Sequence, residues 1–484
     1  MSVIDDSIGQ TRQHDMTQAF AALQASIAGE VLLPAEPGYD AARAIWNAMI
    51  DRRPGVIVRC RGVADVIDAV RFARARQMPI AIRGGGHNVA GHAVCDGGLM
   101  IDLSRMRAVR IAPEARRAWV EGGALWRDVD RATQAFGLAT PGGLISDTGV
   151  AGLTLSGGLG WLRARHGLSI DNLRSADVVT ADGRLLHASE TEHADLFWAL
   201  RGGGGNFGVV TSFEFELHPV GPQVTFAAPI YPIEAGAGPI RFWREFMADN
   251  ADRVGSLIEF STVARDPDFP REAWDRAVYT IAAVHVGDPD EGEALLRPLR
   301  EQAQPLADFS GPIDYCDLQR LFDAQTPAGK FRSYWKSAYL AHLDNALIDR
   351  VLAWNAARPW ARSLASIWAF GGAMARIAPD ATAFGGRTMP YMYSIDSIWR
   401  DASDDAANIA WTRGVWEALQ PDGHHGRLYL NFAGHGEDGE ALVRAALGSA
   451  YARAAAVKKR YDPDNVFRFN QNIVPARDAE PARW

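Results

Sequence analysis

Ala81-Ile82-Arg83-Gly84-Gly85-Gly86-His87-Asn88 carries a short apolar run into three glycines and then a histidine. Residues without Cβ atoms let successive backbone N–H groups converge on one anion, and a histidine directly behind them stands beside whatever that anion carries. A diphosphate suits such a loop; a tight turn closed by a hydrogen-bonded histidine suits the same spacing. Working outward, Val56-Ile57-Val58 reads as a strand, Val63–Gln77 as an amphipathic helix, and Pro79–Arg83 as the strand that delivers the glycines. That is a local βαβ-like order.

The next glycine-dense stretch, Thr140 to Asn172, holds Gly142, Gly143, Gly149, Gly152, Gly157, Gly158, Gly160 and Gly167. Taken alone it fits close-packed backbone as well as ligand approach; several such stretches in one region favour a ligand. If that ligand is a flavin dinucleotide, His87 reaches its ring system and can be bonded to it, which retains the cofactor and tunes its electronics. Gly203-Gly204-Gly205-Asn206-Phe207-Gly208 spells GxGxxG, but it follows a helical pattern and precedes a strand, the reverse of the order a Rossmann loop requires. GxxxxGK[ST] and GxSxG do not occur, so neither a P-loop nor the simplest hydrolase site is available.

A chain of 484 residues predicts two large domains or about three smaller ones. The formal charge of −8 argues against a nucleic-acid partner and points to small molecules. Cys60, Cys95 and Cys316 are odd in number and widely spaced, so no disulfide framework or CxxC motif is expected. Residues 1–30 include Asp5, Asp6, Arg12, His14 and Asp15 without an apolar signal core, and no apolar run is long enough to span a bilayer. The expectation is a cytoplasmic protein with no membrane partner. His14, His92, His193, His424, His425 and His435 have no spacing that forms a tetrahedral site, so no metal is expected.

Helical patterns run over 16–30 and Tyr39–Ile50, and strands over Leu99–Leu103, Val109–Ala112 and Ala118–Glu121 precede a helix at Leu125–Phe136. Strands Ala176–Ala181 and Val209–Leu217 flank a helix at Ala194–Arg201. Past Pro222 the texture changes: strands Thr225–Ala228 and Val278–His285 interleave with helices around Pro239–Ala251, Gly292–Glu301 and Asn345–Ala356, read as a second α/β domain. Predicted boundaries are 1–222, 223–425 and a segment 426–484 that contains a helix over Gly439–Arg460 and returns to the first domain. Tyr334, Trp335, Tyr339, Trp368, Phe370, Tyr391 and Tyr393 are candidates to line a pocket for a flat ring, with core packing as the alternative. Tyr429-Leu430-Asn431 reads as a strand that points both polar side chains to one face. Tyr429 is the candidate base and Asn431 its companion. Lys336 or Arg427 would supply the positive field that lowers the phenol pKa from its ordinary value near 10.

Five stretches together resemble one family. Arg83–Asn88, Gly149-Val150-Ala151-Gly152 with Ser156-Gly157-Gly158-Leu159-Gly160, Gly167-Leu168 with Asp171-Asn172, Asn206-Phe207-Gly208-Val209-Val210-Thr211, and Tyr461-Asp462-Pro463-Asp464-Asn465-Val466-Phe467 occur in the order of the berberine bridge enzyme-like flavoproteins, in the vanillyl-alcohol oxidase (PCMH-type) superfamily. The resemblance implies an α+β fold of two domains: a PCMH-type FAD-binding domain, and a substrate domain built on an antiparallel sheet flanked by helices. It implies FAD linked through His87. Arg83, Gly84, Gly85, Gly86, Asn88, Thr148, Gly149, Gly152, Ser156, Gly157, Gly158 and Gly160 would hold pyrophosphate and ring. Gly208 and Val210 would lie toward the adenine, and Phe467, Asn470 and Asn472 on the tail. Ile145 stands where bicovalent members have cysteine, so no cysteinyl second link is implied. Thr148 is small enough to leave oxygen a place beside the flavin, which implies an oxidase. The implied activity is hydride abstraction from a C–H next to an alcohol or amine of a small ring-containing substrate, with O2 reduced to H2O2. Oxidative cyclisation of a natural product and a non-catalytic flavin carrier are the alternatives.

Overall fold

The computed structural model describes residues 16–267, 269–419, 427–437 and 439–477. His14, His424, His425 and the 425/426 boundary lie outside the described residues. The N-terminal half builds two sheets. In the first, the strands run in the order Glu30–Leu32, Val56–Arg59, Leu99–Asp102, Ile80–Arg83, parallel except at the Glu30–Leu32 edge. Helix Val63–Ala75 makes the crossover and buries Val66, Ala69, Val70 and Ala73, the apolar stripe expected of a helix laid on a sheet. The second sheet is antiparallel, ordered Val109–Ala112, Arg117–Glu121, Val209–Glu216, Leu173–Val179, Leu185–Ser189. Phe213 and Phe215 point into its core while Glu214 and Glu216 stay half-exposed, so the period-two reading of that strand holds.

Residues 223–399 form a nine-stranded sheet, and every pairing in it is antiparallel. Its central path runs Ala277–His285, Val254–Thr262, Leu364–Ala369, Tyr391–Trp399, Arg332–Leu340. The α/β reading of this region is therefore corrected, and the antiparallel sheet implied by the family resemblance is what the chain adopts. Covering on both faces explains the error. Helices Gly238–Asn250, Asn345–Ala356 and Asp405–Ala418 pack one side, and a second apolar cluster built around Trp161, Phe226, Leu257 and Met392 lies on the other. Strands buried twice lose the alternation that marks an antiparallel sheet.

Three helices depart from their patterns, the first of them the one over 16–30, which stops at 26 ahead of the Glu30–Leu32 strand. The one at Tyr39 stops at Arg43, because Trp46 N donates to Gly86 O at 3.0 Å and Asn47 Nδ2 donates to Val89 O and Ser333 O, both at 2.8 Å. These tertiary bonds replace helical ones. The segment Gly439–Arg460 splits into Glu440–Leu447 and Tyr451–Tyr461 at Gly448, whose φ of +57° ends the first helix. The chain then returns to the N-terminal half. Lys458 Nζ, fully buried, donates to Asn206 O, Phe467 O and Asp462 Oδ2 at 2.7, 2.9 and 2.6 Å. Asn206 Oδ1 accepts from Ile473 N at 2.9 Å.

Candidate active site

The cavity between the N-terminal sheets and the nine-stranded sheet, taken together with the open space at its mouth, encloses about 1880 Å3. Its floor is largely backbone: Gly84, Gly85, Gly86, Gly149, Gly152, Gly205 and Gly208, with Ile82, Leu103 and Val210 beside them and Phe467, Phe469, Asn470 and Gln471 supplied by the returning tail. A Cβ on Gly85 would stand 2.5 Å from Gly149 Cα. The two glycine loops thus meet backbone to backbone, and packing as well as ligand space demands glycine there. Gly152 and Gly205 differ: an added Cβ meets nothing within 4 Å, so these positions leave room.

His87 lies flat on Trp46, ring centroids 4.4 Å apart and planes 23° from parallel. The indole is fixed in turn by its own N–H, which donates to Thr326 O at 3.0 Å. His87 Nε2 is 3.5 Å from Asp147 Oδ1, and both atoms are buried with no hydrogen-bond partner. Asn470 Oδ1 and Gln471 Nε2 are in the same condition. Buried polar atoms are normally satisfied, and here they gather around a glycine-lined cavity.

Tyr429 is 2 % exposed, and its phenol oxygen accepts from Gly158 N at 3.1 Å, Leu159 N at 3.4 Å and Asn431 Nδ2 at 2.8 Å. The three N–H groups favour a phenolate, but burial dominates and raises the phenol above its ordinary value. Tyr429 caps a short 3-10 turn, Leu430–Phe432, rather than sitting in a strand. The turn nonetheless brings Tyr429 and Asn431 together on the cavity wall.

The roof is one face of the nine-stranded sheet: Leu257, Glu259, Leu364, Ser366, Trp368, Asp396, Ile398 and Trp335. Alternation sends their neighbours the other way. Lys336 Nζ donates to Glu437 Oε2 at 2.7 Å and lies 3.9 Å over the Trp416 ring; Tyr334 OH donates to the same carboxylate. Tyr391 and Tyr393 pack on the helix side.

A family model described as "FAD binding domain" matches residues 54–189, and one described as "Berberine and berberine like" matches 429–474. An uncharacterized FAD-linked oxidoreductase, YgaK, of Bacillus subtilis is 31% identical over 464 residues, covering 93% of this chain and 98% of that protein. The chain belongs to the berberine bridge enzyme-like FAD-linked oxidoreductases. Within this family, the (R)-6-hydroxynicotine oxidase of Paenarthrobacter nicotinovorans is 30% identical, covering 93% of this chain and 97% of that protein. The crystal structure of 6-hydroxy-D-nicotine oxidase from Arthrobacter nicotinovorans superposes with a TM-score of 0.83 at 28% identity, covering 93% of this chain and 99% of that one. A chitooligosaccharide oxidase shares the PCMH-type fold at a TM-score of 0.83 and 22% identity, covering 95% and 100% of the two chains.

The cavity suits the FAD of this family. The orphaned polar atoms of Asn470 and Gln471, with the space above Gly152 and Gly205 and the His87 ring beside them, are what a dinucleotide would engage. Of the residues expected to hold it, Gly84, Gly85, Gly86, His87, Asn88, Thr148, Gly149, Gly152, Ser156, Gly208, Val210, Phe467 and Asn470 line the cavity. Arg83, Gly157, Gly158, Gly160 and Asn472 do not. Arg83 Nη1 donates to Ala42 O at 2.6 Å, away from it. A Cβ on Gly157 would press on Phe384, one on Gly158 would press on Ser169, and one on Gly160 would press on Gly142 O, so these three glycines serve packing. Of the expected pocket residues, Trp335 and Trp368 line the cavity, while Tyr334, Tyr339, Phe370, Tyr391 and Tyr393 are buried in packing or face the helices. Lys336 is turned away, so the positive field expected at Tyr429 is not supplied by it. Sequence reasoning missed Trp46, Asp147, Glu259 and Asp396. The two roof acids left a signal, each standing alone in an apolar run, Leu257-Ile258-Glu259-Phe260 and Ile395-Asp396-Ser397-Ile398.

Proposed function

We propose that this chain is an oxidase that carries FAD bonded to His87 and takes hydride from a C–H adjacent to an alcohol or amine of a small ring-containing substrate. Residues 1–222 and 426–484 hold the cofactor, and 223–425 cover it. The bound flavin supplies a two-electron acceptor whose electrons pass to O2, giving H2O2. The observation that carries the reading is the sealed, partnerless imidazole Nε2 of His87 beside Asp147, in the same cavity as Tyr429. Asp147 orients the ring by facing one nitrogen, which leaves the other toward the cofactor. Ile145 and Thr148 line the cavity; the first offers no thiol for a second link, and the second leaves room for oxygen. The three N–H bonds that Tyr429 accepts favour its phenolate, and in that form the oxygen would take up the proton of the substrate's heteroatom as hydride departs.

The test is anaerobic. Yellow protein mixed with sugars, aromatic alcohols and cyclic amines should be bleached by at least one class, and admitting air should restore the colour and release H2O2. Flavin that bleaches but reoxidises without peroxide would exclude the oxidase reading. A protein that never bleaches, whatever the substrate, would favour a flavin carrier.

A further inference from the structure

We propose that Glu259 and Asp396 form a seat for a cationic nitrogen, so that the substrate of this site is an amine bound as its cation; the assignment rests on the oxidase reading and narrows its substrate class. Register places the two acids. Glu259 opposes Ser366, which opposes Ser394, and Asp396 opposes Leu364 on one side and Trp335 on the other. Both carboxylates therefore stand on the cavity face, diagonally across the single strand Leu364–Ala369.

Neither acid is satisfied by the protein. Glu259 is 9 % exposed and has no hydrogen bond or ion pair among the described residues. Asp396 Oδ1 is buried without a partner, and its other oxygen receives only Ser394 Oγ at 3.5 Å. The nearby guanidinium of Arg358 gives Nη1 and Nη2 to Phe260 O at 3.1 Å, Asn355 Oδ1 at 3.3 Å and Thr262 Oγ1 at 3.0 Å, keeps Nε unpartnered, and makes no hydrogen bond to either acid. Lys336 lies on the opposite face. Burial pushes Glu259 up to about 7, with Arg358 pulling the other way, and pushes Asp396, helped by Glu259, up to about 8. Burial thus disfavours the ionised forms, and neither carboxyl has a hydrogen-bonded cation among the described residues to hold it charged. A buried charge left unpaired is costly, and an ammonium group entering the cavity removes that cost.

The walls of the seat match the same ligand. Trp335 and Trp368 flank the acids on the cavity face, and both meet Phe432, with ring centroids 5.5 and 6.0 Å away. Indole faces attract cations that have shed their water.

The test uses the oxidised holoprotein and two probes that cannot be oxidised, phenyltrimethylammonium and its neutral isostere tert-butylbenzene, titrated by calorimetry and by perturbation of the flavin spectrum. The cation should bind at least about ten-fold more tightly. That advantage should fall to within about two-fold in Glu259→Gln/Asp396→Asn, with tert-butylbenzene affinity and flavin colour unchanged to report an intact fold. Each single substitution should lose part of it. Equal binding of the two probes by the wild type, or an advantage that survives the double substitution, overturns the seat. A colourless preparation overturns the oxidase reading as well; a yellow one that binds both probes alike overturns the seat alone.

Discussion

The floor and the roof of the cavity are built in opposite ways. On the floor, recognition is done by main chain: two glycine loops meet so closely that a Cβ on Gly85 would stand 2.5 Å from Gly149 Cα, and a short tail closes the side. On the roof, recognition is done by side chains standing on alternate positions of four antiparallel strands. A main-chain surface suits a ligand that stays the same across a family. A side-chain surface can change its chemistry one residue at a time without disturbing the sheet beneath it, as with Glu259 and Asp396.

That contrast can be broken most severely on the floor. His87→Ala should convert flavin that precipitates with the protein in acid into flavin that remains in the supernatant, an all-or-none change read by absorbance; retention of colour in the pellet would remove His87 from the linkage. At the junction of floor and roof, Tyr429→Phe should slow anaerobic flavin reduction by about 10²- to 10⁴-fold, the range for loss of a general acid or base; an unchanged rate would assign the proton to another group. Lys458→Met should cost about 3–5 kcal/mol in denaturant unfolding, because it strands the buried Asp462 carboxylate and frees Asn206 O and Phe467 O. A variant as stable as the wild type would show that the tail is held by its apolar contacts.

The smallest effect belongs to the roof and depends on pH. Carboxyls raised to about 7 and about 8 by folding keep protons that the unfolded chain has already lost. Their contribution is therefore most favourable below the ordinary carboxylate range and declines as pH rises from there through 8, with Arg358 the cation that opposes it. Glu259→Gln/Asp396→Asn should lose less stability than the wild type between pH 5 and pH 9, read as the shift in denaturation midpoint. Parallel pH profiles would mean that both acids are ionised and compensated in the folded protein.

The same contrast decides how much could be read from sequence. Close backbone approach leaves letters behind, since no residue but glycine fits at Gly85 or Gly149, and so the two glycine loops that meet on the floor stood out in the sequence, as did the βαβ unit that presents the first, whereas Gly157, Gly158 and Gly160 carry the same letter for packing. A roof residue is legible only once its register is known, and a one-residue shift moves every side chain to the other face. The aromatic stretches Tyr334–Lys336 and Tyr391–Tyr393 were recognised as strands, yet of those six residues Trp335 alone lines the cavity. Trp46 was hidden for a different reason. Residues 44–50 have a helical pattern that distant bonds to Gly86, Val89 and Ser333 override, and nothing local announces those partners.

The tail has a consequence for biogenesis. Phe467, Phe469, Asn470 and Gln471 form part of the cofactor cavity, and they are secured through Lys458 and Asn206. On the ribosome, the glycine loops emerge hundreds of residues before the strap that completes their enclosure. Stable capture of the cofactor accordingly waits until residues 467–471 have been made, long after the glycine loops, and a product terminated before them would have the cradle without its clasp.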